Sequence, residues 1–200
     1  MIKLGGFGGT FDPAHYGHIF LANQALRELR LDRVLVIPAC AQPFKLEARS
    51  APGWHRYNMA MLAFGNDDRF SVSDIELKKE GVSYTVDTLR EVKELYGNNT
   101  GISFILGADV FMNIEKWKNH VELLTDYSFI VGARPGWEDG ALSAFIKHVE
   151  EVYNGKVTTV SNKPVRISST EIKAGIKSGE DLSEFLPIEI MRYITVNELY

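Results

Sequence analysis

Apolar runs of strand length recur along the chain at MIKLGGF (1–7), RVLVIPA (33–39), RFSVSDIEL (69–77), GISFILG (101–107), YSFIVGA (127–133) and KVTTV (156–160). Most are followed by a longer segment in which apolar residues return every three or four positions. That spacing predicts helices over about 17–30, 54–65, 84–96, 110–124 and 139–153, with shorter ones in 168–178 and 187–197. Strand and helix in alternation predict an α/β fold, doubly wound, with a mostly parallel sheet and helices on both faces. In the first helix His18, Ala22, Ala25, Leu26 and Leu29 share one stripe. His18 is therefore expected at the helix start, facing the sheet, at the carboxyl edge of the first strand. Open α/β sheets bind ligands at that edge, where the strand order reverses. Pro187 suits a first helical position, and residues 166–200 read as a small helical appendage on a core of residues 1–165. No linker composition or internal repeat divides the chain, so residues 1–200 are expected to form one domain.

Composition narrows the function classes. Two hundred residues, 45% of them hydrophobic, suffice for one sizeable core. A net charge of −4 leaves no basic excess for tracking a nucleic-acid backbone, although a local basic pocket for a small phosphorylated ligand is compatible with it. Nucleic acid is not an expected partner. A single cysteine, Cys40, forms no internal disulfide and no cysteine-based zinc site, and this suits a reducing compartment. No run of about 18 apolar residues is present, and MIKLGGFGG lacks a signal peptide's basic start and longer apolar segment. The expectation is a soluble cytoplasmic protein with no membrane partner.

The chemistry concentrates in KLGGFGGTFDPAHYGH, residues 3–18. Four glycines, Gly5, Gly6, Gly8 and Gly9, follow an apolar start and suggest a bound phosphate. The dinucleotide fingerprint G-x-G-x-x-G would need glycine at position 11, where Phe11 stands, so a hydride-transfer enzyme is disfavoured. Beyond the Asp12-Pro13 turn, His15 and His18 stand beside a helix N-terminus, whose free N–H groups and dipole attract anions. Two imidazoles there add donors for phosphate oxygens. H-x-x-H also shares a helix face and could ligate a metal, but no third ligand lies nearby.

G-G-T-F-D-P-x-H-x-G-H resembles the signature of the HxGH nucleotidyltransferases, and the whole chain resembles the bacterial nicotinate mononucleotide adenylyltransferase family. The likeness extends through Ile37-Pro38 with Gln42-Pro43-Phe44-Lys45, then Ser83-Tyr84-Thr85-Val86-Asp87-Thr88-Leu89 and Leu106-Gly107-Ala108-Asp109 with Trp117. It continues in Ala133-Arg134-Pro135-Gly136 and Ile167-Ser168-Ser169-Thr170-Glu171-Ile172-Lys173. The resemblance implies a Rossmann-like core, and attack of nicotinate mononucleotide phosphate on the α-phosphorus of ATP. Pyrophosphate leaves and a dinucleotide forms. The attacking phosphate monoester has a second pKa of about 6 and is mostly dianionic at neutral pH, so it needs no general base. It needs alignment of two anions and stabilisation of the departing charge.

His18 is the expected main donor to the triphosphate, with His15 beside it, and Lys45 either brings the two phosphates together or is a solvated loop lysine. The resemblance places ATP against Gly8, Gly9, Thr10, Phe11, His18, Gly107, Asp109, Ile167, Ser168, Ser169, Thr170 and Lys173. Lys173 replaces the family's usual Arg and loses the bidentate fork. Ser168-x-x-Glu171 is also a capping box. Trp117 offers a face for the pyridine ring or is a core or lid aromatic, while Thr85 offers donors to a carboxylate. Arg134 suits the acceptor phosphate or is a surface turn residue, and Asp109 suits a ribose hydroxyl or caps a helix. Gln42 and Phe44 depart from the family's Pro and His. Trp54, His55 and Arg56 open a helix without a motif, Arg56 suiting a structural ion pair. His120 and His148 carry no motif either. Magnesium is expected to arrive with ATP, held by phosphates and water, with no protein metal site. A homo-oligomer is compatible with the sequence.

Overall fold

The computed structural model describes residues 2–40, 50–79, 81–97, 99–133, 140–161 and 168–200. Six parallel strands form one sheet: β1 (Ile2–Gly9), β2 (Arg33–Pro38), β3 (Phe70–Val72), β4 (Thr100–Gly107), β5 (Ser128–Ala133) and β6 (Lys156–Ser161), in the spatial order β3-β2-β1-β4-β5-β6. Strand succession runs outward from β1 on one side and outward from β4 on the other. The reversal therefore falls between β1 and β4, where Gly8, Gly9 and Gly107 end their strands.

Alternate residues of each strand feed different cores. Phe7, Val34, Val36, Ile105 and Ile130 pack on one face, while Leu4, Leu35, Ile37, Phe104 and Phe129 pack on the other. Burial on both faces explains why the strands read as continuous apolar runs. The first face is covered by α1 (Tyr16–Glu28), α2 (Gly53–Phe64), α7 (Ser169–Ser178) and α8 (Ile188–Val196). The second lies under α3 (Thr85–Tyr96), α4 (Ala108–Phe111), α5 (His120–Asp126) and α6 (Ala141–Tyr153). Ile172, Ile190 and Ile194 share a core with Phe11 and Phe64, so the last two helices pack into the main body.

Three expectations are corrected. The helix over 110–124 is instead α4, a tight 3-10 turn over Ile114–Lys116, and α5. Asn119 adopts the left-handed conformation at φ 53° that asparagine tolerates, and Trp117 is extended, which turns its ring edge-on to Phe104. The strand over 69–77 stops at Val72 because the Ser73 hydroxyl accepts the Ile75 N–H and starts a turn. Pro187 is the cap of α8, one position outside the helix. The expected first strand runs on through Gly8 and Gly9, and two of its glycines have a packing reason. A Cβ on Gly8 would lie 2.8 Å from the Phe104 ring, and one on Gly5 would lie 2.9 Å from both Ile105 and Leu31. The absent side chains leave a thin floor at the switch point.

Candidate active site

Immediately after β1, Phe11 takes a positive φ of 51°. That conformation is strained for a bulky residue, by about 1–3 kcal/mol. Burying the ring, worth about 2–3 kcal/mol, offsets it. The ring sits edge-on to Phe7 and Phe64 and supports His18 at a centroid distance of 5.0 Å. The Phe11 side chain thus belongs to the core, and only its backbone is left to meet a ligand. Thr10 holds a buried hydroxyl with no partner among the described residues.

α1 begins with a reciprocal cap made from two histidines. His15 Nδ1 accepts the Gly17 N–H at 3.1 Å, and His18 Nδ1 accepts the His15 N–H at 3.3 Å. The rings face each other at 3.8 Å. With Nδ1 occupied as an acceptor, each neutral ring carries its proton on Nε2. One expectation changes here: the N–H groups of Tyr16 and Gly17, expected as bare donors for an anion, are already engaged by the Phe185 carbonyl and His15 Nδ1.

The turn is anchored from beneath. Asp12, 3% exposed, accepts the Ala51 N–H at 3.0 Å and the Tyr200 hydroxyl at 2.6 Å on one oxygen, and the Lys173 ammonium at 2.8 Å on the other. Burial and the Asp12 charge push the Tyr200 phenol well above its ordinary value, which keeps it a donor. Ser169 Oγ donates to the Pro13 carbonyl at 3.2 Å, bringing the start of α7 against the turn. Ser168 and Glu171 form the expected capping box. Tyr193, on α8, meets His55 Nδ1 at 3.0 Å and accepts from Asn58 at 2.9 Å.

Gly107 ends β4 at the switch point and the exposed Asp109 follows in α4; the half-buried Trp117 packs edge-on to Phe104, and Thr85 is the first residue of α3. Beside α3, Glu76 is 7% exposed and accepts the Thr88 hydroxyl at 2.7 Å. Burial raises its pKa above the ordinary carboxylate value, against the opposing effect of that hydrogen bond. The folded protein therefore holds a proton at pH values where the unfolded chain has lost it. Stability falls as pH climbs from the unfolded pKa, about 4.3, through the folded one. Glu76→Gln carries no such charge, so its melting temperature relative to wild type is expected to be more favourable at about pH 8 than at about pH 4.5. Thermal melts at both pH values check this, and a difference independent of pH contradicts it.

Residues 6–175 match the cytidylyltransferase-like family. A probable nicotinate-nucleotide adenylyltransferase of Thermus thermophilus is 40% identical over 202 residues, covering 100% of both chains. One from Thermoanaerobacter sp. is 37% identical over 199 residues, covering 100% of this chain and 94% of the relative. The chain belongs to the nicotinate-nucleotide adenylyltransferase family. The architecture agrees with a solved structure of the Plasmodium falciparum nicotinic acid mononucleotide adenylyltransferase complexed with NaAD, at a TM-score of 0.80 and 20% identity, covering 100% of this chain and 98% of that one.

For an adenylyltransferase of this family, the structure gathers Gly8, Gly9, Thr10, His15 and His18 at one end of β1, with Ser169 and Lys173 tied to the same turn. Thr170 is exposed in the first turn of α7. Lys45, Arg134 and Ile167 lie outside the described residues. Sequence reasoning missed Asp12 as an anchor, Tyr200 as its partner and Arg56 as more than an ion pair. Their signal lies in the topology, which brings residues 12, 51, 173 and 200 together. No local pattern carries that information.

Proposed function

We propose that this chain transfers the adenylyl group of MgATP to nicotinate mononucleotide, giving the nicotinate dinucleotide (deamido-NAD) and pyrophosphate, a step of NAD biosynthesis. A phosphate oxygen of the mononucleotide bonds to the α-phosphorus of ATP, and the bond from that phosphorus to the bridging oxygen breaks. The observation that carries the reading is the histidine pair at the switch point of a family member, with both Nδ1 atoms held by backbone amides. Fixed Nε2–H donors suit charge growing on departing pyrophosphate, because they need no reorganisation as the bond breaks. His18 is the principal donor in this reading, with His15 tilted against it. Lys45 serves the approach of the two anions.

Gly8, Gly9, Thr10, Phe11 (through its backbone), Gly107, Asp109 and the 167–170 segment receive ATP. Lys173, already joined to Asp12, has further ammonium protons for a phosphate. Thr85, Trp117 and Arg134 receive the mononucleotide. Magnesium enters as part of the nucleotide substrate. Asp12 does not fit a metal ligand, because backbone, hydroxyl and ammonium donors already engage its oxygens. Residues 166–200 work as part of the same domain as residues 1–165, and the reaction is assigned to the cytoplasm.

Pyrophosphate release measured with ATP and a panel of acceptors tests the substrate. Nicotinate mononucleotide is expected to exceed the nicotinamide form and phosphopantetheine in kcat/KM by at least about tenfold. The reverse order overturns the assignment.

A further inference from the structure

Arg56 belongs to no motif, yet it joins three separate segments of the site. Its side chain, in the first turn of α2, is 3% exposed. Nε donates to the Ala51 carbonyl at 3.0 Å, Nη1 to the Thr10 carbonyl at 2.9 Å and Nη2 to the Cys40 carbonyl at 3.1 Å. These carbonyls belong to three separate segments: the turn after β1, the chain leaving β2, and the chain leading into α2. One of the three residues is held a second time, because the Ala51 N–H donates to Asp12. Burial lowers the guanidinium from its ordinary value, while the Asp12 and Glu76 charges push it back up. A planar fork fixes the angles between its donors, so three carbonyls on one guanidinium have one relative arrangement.

We propose that Arg56 is a positioning residue of this site, setting Thr10 and the turn around it at a fixed distance from the Cys40 and Ala51 backbones. The orphaned Thr10 hydroxyl gives this a purpose. Its donor has no partner among the described residues and is therefore open to a bound group, and Arg56 holds that hydroxyl's own residue by its carbonyl. The kinetic consequence rests on the adenylyl-transfer reading, whereas the structural coupling of the three segments does not. Loosening the turn costs alignment in the transition state more than it costs ground-state binding, because substrates can bind in a displaced pose but cannot react from it.

The test is Arg56→Lys, which keeps the charge and loses the fork. Trimethylamine N-oxide is added so that kinetics are read on fully folded protein. The expected result is a fall in kcat of about 10- to 100-fold with KM for ATP and mononucleotide within about threefold of wild type. Amide hydrogen exchange in residues 8–12, 36–40 and 50–56 is expected to accelerate together, with 128–133 unchanged. A kcat within about threefold of wild type overturns the proposal. So does faster exchange confined to 50–56, the mark of a residue that merely stabilises its own helix. If wild type forms no dinucleotide, the assigned reaction has failed. The exchange pattern then decides Arg56 by itself, in the same two directions.

Discussion

Replacing His18 by alanine is expected to lower kcat by at least about 10²-fold while mononucleotide affinity stays within about threefold, as for loss of a transition-state donor. The imidazole has two tasks, and a side-chain series separates them. Nδ1 closes the reciprocal cap by accepting the His15 N–H, and in the proposed reaction Nε2–H meets the departing pyrophosphate. Asparagine places an oxygen near the Nδ1 position and nothing near Nε2, so His18→Asn keeps the cap and loses the chemical donor. Glutamine places an N–H near Nε2 and leaves the cap open. His18→Asn is therefore expected to melt close to wild type and turn over as slowly as His18→Ala. His18→Gln is expected to melt lower yet retain more activity. Alanine also leaves a gap above Phe7 and Phe11, so melting temperatures accompany each rate. A His18→Asn enzyme with wild-type kcat removes His18 from the chemistry.

The sequence made the position of this histidine legible before its geometry. Helical spacing put His18 on the stripe with Ala22, Ala25 and Leu26, and the structure sets it over Phe7 and Phe11 at the carboxyl edge of β1. Both facts follow from local periodicity, which a side chain's neighbours in sequence determine. What periodicity could not reveal was that the first amides of α1 are spent. Tyr16 N–H reaches Phe185, a partner set by how α7 and α8 return across the sheet. The broken helix around Trp117 failed for a related reason. Its apolar pattern runs on through Val121 and Leu124, while a left-handed Asn119 and the packing of Trp117 against Phe104 override it. Glycine-rich β1 held a second meaning that the sequence did not reveal, because Gly5 and Gly8 also admit Ile105 and Phe104 against the strand.

Asp12 is where long-range information is concentrated, and removing its carboxylate is expected to be the most destabilising single change in the site. Asp12→Ala leaves the Ala51 N–H, the Tyr200 hydroxyl and the Lys173 ammonium without their acceptor, and it deprives buried Arg56 of a compensating charge. Breaking such a pair from one side costs about 3–5 kcal/mol, more than a surface ion pair contributes, because the remaining charges stay desolvated. Lys173, with 22% of its side chain exposed, recovers part of its hydration, so the lower half of that range is expected. Equilibrium urea unfolding measures it. Asp12→Asn keeps one oxygen for Ala51 and Tyr200 but turns an amide N–H toward Lys173, so its loss should be smaller and should shrink further when Lys173→Met is added. The double-mutant coupling is expected to exceed about 1 kcal/mol. A stability change for Asp12→Ala under about 0.5 kcal/mol would mean that the turn carrying both histidines stands without the residues 168–200 that grip it from below.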